Sequence, residues 1–311
     1  MSKFADKVIR GVKEKGSPCV VGLDYFQDKL PDFVRSALEK APNENGYRTA
    51  LGDFFRLIIE SVAPHVALVK PQDALISPMT NVGAQIFGDL VRNAQGCGLL
   101  VIADAKRGDI ASSAEGYAET FIRPKAGPSF AQGYNADAVT VNPFLGRDTL
   151  TPFLEACSSL DKGIFILVKT SNKGSVETQD RLLAEDNQPI YMAYARMVAE
   201  LGVPHVGERG YSSVGAVVGA TFPDQARQIR QVMPQTIILV PGYGAQGATA
   251  DDVAVNFNED GLGAIVNASR SITYNFPRPD ISRKAYGECV SDNLRRMTDD
   301  IMEAIHRRGI A

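Results

Sequence analysis

The chain has 311 residues, 44% hydrophobic and 22% charged, with a formal net charge of −3 at pH 7. That composition suits a globular protein with a sizeable core, and its near-neutral balance argues against a nucleic-acid-binding surface. No apolar run approaches ~18 residues and residues 1–16 are charged throughout, so neither a transmembrane span nor a signal peptide is expected. Cys19, Cys97, Cys157 and Cys289 are widely spaced and only three histidines are present, which disfavours a zinc site or disulfide framework and fits a reducing cytoplasm.

Residues 2–15 place Phe4, Val8, Ile9 and Val12 at helical spacing, predicting a leading helix. A first strand over 18–23 ends at Asp24. After a polar, proline-containing segment, 47–62 form an amphipathic helix around Leu51, Phe54, Phe55, Ile58 and Ile59. A second strand over 66–69 ends at Lys70 and is stopped by Pro71. Helix 81–95, strand 99–103, helix 111–121 and strand 137–141 follow, the last ending at Asn142 and Pro143. Helix 151–160 leads to a fifth strand, 163–168, ending at Lys169, Thr170 and Ser171. The polar stretch 172–188 is longer than most strand-to-helix connections and is a candidate lid. The chain then alternates through helix 190–201, strand 214–220, helix 223–233, strand 236–240, helix 250–257 and strand 263–266 to a closing helix, 283–308.

Eight strands alternating with helices, without an obvious linker, imply parallel pairing and right-handed crossovers. The count and length fit a single (β/α)8 TIM barrel domain over 1–311 with an extra N-terminal helix. A doubly wound open sheet is the competing architecture. In either, ligands bind at the C-terminal ends of the strands, where Asp24, Lys70, Asp104, Lys106, Asn142 and Ser171 fall.

The third strand carries the densest chemistry. An apolar run gives way to Asp104-Ala105-Lys106-Arg107-Gly108-Asp109-Ile110, four charges within six residues. On a strand, Asp104 and Lys106 share one face about 6–7 Å apart, so an acid and a base project together. A purely structural reading makes Asp109 a helix N-cap and the other two an exposed ion pair.

Pro241-Gly242-Tyr243-Gly244-Ala245-Gln246-Gly247 contains G-x-G-x-x-G after a strand and before a helix. It falls in the seventh unit rather than the first, and the acidic residue Asp260 precedes a strand instead of ending one, which weakens a dinucleotide reading. A phosphate loop fits better, with free N–H groups at a helix start cradling an anion and Gln246 adding an amide donor. Asn267-Ala268-Ser269-Arg270-Ser271 ends the eighth strand, and Arg270 can fork onto two phosphate oxygens.

With those residues in hand, the chain resembles the orotidine 5′-phosphate decarboxylase family, in its longer bacterial type. The matching pieces are G-L-D at 22–24, V-K-P at 69–71, D-A-K-R-G-D-I at 104–110, T-S-N-K-G-S at 170–175, P-G-Y-G-A-Q-G at 241–247 and S-R-S-I at 269–272. The resemblance implies loss of CO₂ from C6 of orotidine 5′-phosphate to give UMP, without metal or cofactor. It implies an alternating charge network of Lys70, Asp104, Lys106 and Asp109, with Lys106 protonating C6, Asp104 against the departing carboxylate, and Asp109 supplied by the other subunit of a homodimer. It gives Asp24 and Lys70 the ribose hydroxyls, Ser171 the pyrimidine, and Gln246 and Arg270 the phosphate, with Ile110, Ser113, Asn142 and Ser269 as further substrate-binding positions. Ser113 stands where the family usually has threonine, so a hydroxyl is kept with looser packing. A Mg²⁺-dependent sugar-phosphate decarboxylase or aldolase shares D-x-K-x-x-D, but residues 101–103 are Val-Ile-Ala, with no carboxylate immediately before Asp104. A nicotinamide-dependent oxidoreductase and a non-catalytic phosphate-binding barrel are the remaining alternatives.

Overall fold

The computed structural model describes residues 3–128, 132–244 and 247–310. Eight strands form its centre: β1 Cys19–Leu23, β2 Leu68–Pro71, β3 Leu100–Arg107, β4 Ala138–Val141, β5 Gly163–Lys169, β6 Ser212–Val218, β7 Thr236–Pro241 and β8 Ala264–Ala268. Each pairs in parallel with the next, and β8 closes onto β1 through Cys19↔Val266 and Val20↔Asn267. The sheet is a closed (β/α)8 barrel, as expected, and not an open doubly wound sheet.

Period-two alternation explains its two apolar layers. Val20, Leu68, Ile102, Ala138, Phe165, Val217, Leu239 and Ile265 point into the barrel. Their neighbours Val21, Val69, Val101, Val139 and Val266 point outward beneath the helices. Helix Phe4–Lys15 inserts Phe4, Val8 and Ile9 against the inner layer, with Phe4 edge-to-face on Phe165 at 6.1 Å between ring centroids. Burying each such side chain is worth roughly 1.5–3 kcal/mol. The leading helix plugs the N-terminal mouth, leaving the C-terminal strand ends for a ligand.

Several boundaries differ from the sequence expectation. Helix Asp32–Lys40 lies in the polar, proline-containing segment, where Val34 and Leu38 are its buried residues and Phe33 and Ala37 pack partly buried beside them. β2 includes Lys70 and Pro71, which pair with Gly22 and Leu23, and β3 reaches Arg107, which pairs with Val141 beyond a slip in register. β6 and β8 are shifted likewise, to Ser212–Val218 and Ala264–Ala268, by their partners' register. Segment 172–188 contains the short helix Ser175–Thr178, and its Leu182 bridges to Pro189 just beyond it. Among the described residues, no helix is long and apolar enough to cross a membrane.

Candidate active site

The charged end of β3 departs from regular strand geometry. β3 and β4 pair at Ala103↔Val139 and next at Arg107↔Val141, so Asp104, Ala105 and Lys106 all stand opposite Thr140. Such a bulge re-aims side chains at the cost of ladder bonds. Lys106 takes φ +48°, in the left-handed region that side chains with a Cβ rarely occupy. The N–H groups of Ala105 and Lys106 donate to Thr140 Oγ1 at 3.0 and 2.9 Å, and that hydroxyl donates to Asp104 Oδ1 at 3.0 Å. The expected proximity of Asp104 and Lys106 is therefore produced by a bulge and not by a flat strand.

Asp104 is the hub. Lys106 Nζ donates to its Oδ1 and Lys70 Nζ, from β2, to its Oδ2, while Gln72 Nε2 reaches Oδ2 at 2.9 Å. With Thr140, two donors serve each oxygen, the full capacity of a carboxylate. Asp104 and Lys70 are each only 5% exposed, whereas the Lys106 side chain is 43% exposed and reaches into the open mouth. Burial would push the Asp104 carboxyl up, but the Lys70 and Lys106 ammonium groups outweigh it and hold it well below the usual carboxylate range. Burial would likewise lower Lys70, yet the carboxylates of Asp104 and Asp24 reverse that and raise it above its ordinary value. The buried Asp104–Lys70 pair is thereby held in its charged form.

Arg107 turns away from this line. It pairs with Asp73 at 2.7 Å and lies over the Tyr117 ring at 5.3 Å, tying the end of β3 to the turn after β2. Across the mouth, Ser269 Oγ donates to Asp24 Oδ2 at 2.5 Å, and the Tyr274 hydroxyl donates to the Asp24 carbonyl at 2.6 Å. Gly22 makes the first contact possible, because a Cβ there would meet Ser269 Oγ at 2.1 Å. Asp24 Oδ1 is buried with no hydrogen-bond partner among the described residues.

The other expected residues that the structure describes lie outside this network. Asn142, just past β4, donates its N–H to the Arg107 carbonyl at 2.8 Å and accepts from the Phe144 N–H at 3.1 Å. Ser171 sits beyond β5, its carbonyl accepting from Thr221 Oγ1 at 3.2 Å. Asp109 Oδ1 accepts from the adjacent Ile110 N–H at 2.8 Å, and among the described residues Asp109 forms no ion pair with Lys106. Ile110 is 59% exposed, and Ser113 is exposed in helix Ala111–Phe121. Arg270 opens the short helix Arg270–Thr273 and is exposed, while Gln246 lies outside the described residues.

In the β7 loop, Gly242, Gly244 and Gly247 take φ of +112°, +68° and +92°, values that explain the glycine spacing as turn chemistry. Part of the donor set expected to form a cradle there is already engaged. Gly244 and Gly247 donate their N–H groups within the loop, and helix Ala250–Ala254 is closed by a capping box of Thr249 and Asp252. Asp251 and Asp252 in its first turn would also repel an anion.

The sequence profile of the orotidine 5′-phosphate decarboxylase / HUMPS family matches residues 20–280. The chain belongs to this family. It is 39% identical over 308 residues to the orotidine 5′-phosphate decarboxylase of Rhodopirellula baltica, covering 98% of this chain and 99% of that protein. It is 37% identical over 294 residues to that of Caldicellulosiruptor bescii, covering 92% and 95% of the two. The structure of Leishmania donovani OMP decarboxylase superposes with a TM-score of 0.74 at 27% identity, over 98% of this chain and 99% of that one.

Sequence reasoning about this orotidine 5′-phosphate decarboxylase / HUMPS family member missed Gln72, Thr140 and the Arg107–Asp73 pair. Two of these had a signal. Gln72 follows Lys70 by two residues, just past the end of β2 where it bridges to Asp104, and Thr140 is the one polar residue in the buried run Ala138–Val141.

Proposed function

We propose that the chain decarboxylates orotidine 5′-phosphate to UMP and CO₂, a carboxy-lyase step of pyrimidine biosynthesis, using a single catalytic barrel domain over 1–311. The observation that carries this reading is the Lys70–Asp104–Lys106 line at the C-terminal strand ends, with two of its charges buried and the third reaching into the mouth.

In the reaction the C6–carboxylate bond breaks, the electron pair stays on C6, CO₂ leaves, and a proton passes from Lys106 Nζ to C6. The sp² carbon has no conjugated electron sink, so its charge must be met by groups already in place. A positioned general acid contributes ~10²–10⁴-fold, about 3–5 kcal/mol, whereas highly proficient enzymes remove on the order of 20 kcal/mol. Lys106 alone falls short. Preorganised charge must supply much of the rest, and binding of the remote phosphate can be spent on orientation. Asp104 faces the departing carboxylate, Asp24 and Lys70 hold the ribose hydroxyls, Ser171 meets the pyrimidine, and Arg270 with Gln246 takes the phosphate. Ile110, Ser113, Asn142 and Ser269 are assigned further substrate contacts. Both Asp104 oxygens are engaged by ammonium groups, an arrangement unsuited to a divalent cation.

The working form in this proposal is a cytoplasmic homodimer in which the partner subunit's Asp109 completes the network. Two features support it: Asp109 makes no ion pair with its own Lys106 among the described residues, and Ile110, Phe144 and Leu145 expose apolar side chains on the adjoining rim. The four cysteines are free, as a reducing compartment requires.

The test follows the ultraviolet absorbance of orotidine 5′-phosphate with purified, EDTA-treated protein. Conversion to UMP is expected. Folded protein that leaves the spectrum unchanged refutes the assignment.

A further inference from the structure

We infer that Thr140 is a positioning residue of the decarboxylation, its hydroxyl holding the Asp104–Lys106 pair in register from the neighbouring strand. The inference rests on the decarboxylase reading and goes beyond it, since Thr140 touches no reacting atom.

The bulge leaves the N–H groups of Ala105 and Lys106 without a strand partner, and backbone donors buried without a partner are rare because they are costly. Thr140 Oγ1 accepts from both, at 3.0 and 2.9 Å, and donates its own hydrogen bond to Asp104 Oδ1 at 3.0 Å. One hydroxyl thereby uses its two acceptor sites and its single donor on three consecutive residues. It fixes the backbone of the proton donor and one oxygen of the carboxylate together. Lys106 needs such a constraint, because its φ of +48° persists in a residue with a Cβ only when its surroundings impose it. Thr140 itself is 1% exposed, so water has little access to take over if the hydroxyl is removed.

Valine preserves the shape and β-branching of threonine while deleting the hydroxyl. For Thr140→Val we expect kcat to fall about 10²-fold, the scale of a misplacement near 1 Å, with KM changed less than about threefold. Thr140→Ser, which keeps the hydroxyl, should recover kcat to within about fivefold of the wild type. The measurement is steady-state decarboxylation of orotidine 5′-phosphate by wild type and both variants, each with a thermal melt. A Thr140→Val enzyme with wild-type kcat overturns the inference. So does a Thr140→Val chain that does not fold, which makes the hydroxyl a folding requirement, and so does a Thr140→Ser enzyme as slow as Thr140→Val. No turnover by folded wild-type protein fails the decarboxylase reading and this inference with it, whereas an active wild type beside an unimpaired Thr140→Val fails the inference alone.

Discussion

Lys169 Nζ, fully buried at the end of β5, donates to Asp180 Oδ1 at 2.6 Å and lies 4.3 Å from the centre of the Phe222 ring. Beside this pair, Gln179 accepts the Thr170 N–H at 3.0 Å and donates to Thr170 Oγ1 at 2.8 Å. The middle of segment 172–188 is thus fastened to the strand it follows. The candidate lid is thus anchored at residues 179–180, next to Ser171.

Removing the carboxylate should expose the cost of that anchor. Asp180→Ala leaves a buried ammonium group without its counter-ion, a change worth ~3–5 kcal/mol for a fully buried pair. Asp180 is 27% exposed, which lowers the expectation to about 2–3 kcal/mol. Urea unfolding measures it directly. A loss under about 0.5 kcal/mol would mean that Lys169 is solvated some other way and that the arm is not held by this pair.

Lys106→Ala should separate chemistry from stability. Its side chain is 43% exposed, and without it Asp104 keeps Lys70, Gln72 and Thr140 as partners, so unfolding free energy should change by less than about 1 kcal/mol. Turnover of orotidine 5′-phosphate should drop at least ~10⁴-fold, the upper range of general acid catalysis, because proton and charge are lost together. Near-wild-type turnover in the purified variant would remove Lys106 from the proton-donating role.

The barrel and the strand-end charges could be read from the sequence because both follow from local patterns. Apolar runs of strand length alternate with helical periodicity, and each run stops at a polar residue. What could not be read depends on pairing between distant segments. The register slip that sets Asp104, Ala105 and Lys106 against Thr140 exists only once β3 lies beside β4. The Arg107–Asp73 pair needs β2 beside β3, and the setting of Lys169 near Tyr191 and Phe222 follows a register slip between β5 and β6. Asp109 shows the complementary case, in which the sequence signals chemistry while its carboxylate accepts from the N–H of the next residue.

Stability should respond to pH through Asp104 with a definite sign. Its folded value is held below the ordinary 3.8, so the folded protein binds fewer protons there than the unfolded chain. Its contribution is fully present above about pH 4 and fades as pH falls below 3.8. Lys70, raised above 10.5, acts oppositely, contributing below that pH and losing its contribution only as pH rises past its folded value. The stability gap between wild type and Asp104→Asn should therefore be flat from about pH 5 to 9 and narrow below about pH 4. Denaturation series at pH 3 and pH 7 give the comparison. An equal gap at both would mean that the carboxylate is not held low.

The proposed shared site makes a prediction that depends on symmetry. If the partner subunit's Asp109 completes each network, Lys106→Ala and Asp109→Ala homodimers are both inactive, one lacking the proton donor and the other the crossing carboxylate. In a hybrid dimer the two defects fall in the same site, and the other site has an intact Lys106 facing an intact Asp109. Random reassortment of equal amounts makes about half of the dimers hybrid, each with one working site, so roughly a quarter of wild-type activity should return on mixing. Co-refolding the two inactive variants and assaying orotidine 5′-phosphate turnover measures this. If Asp109 served its own subunit, mixing would restore nothing. If it acted only through the Ile110 N–H it accepts at 2.8 Å, Asp109→Ala would be active before any mixing.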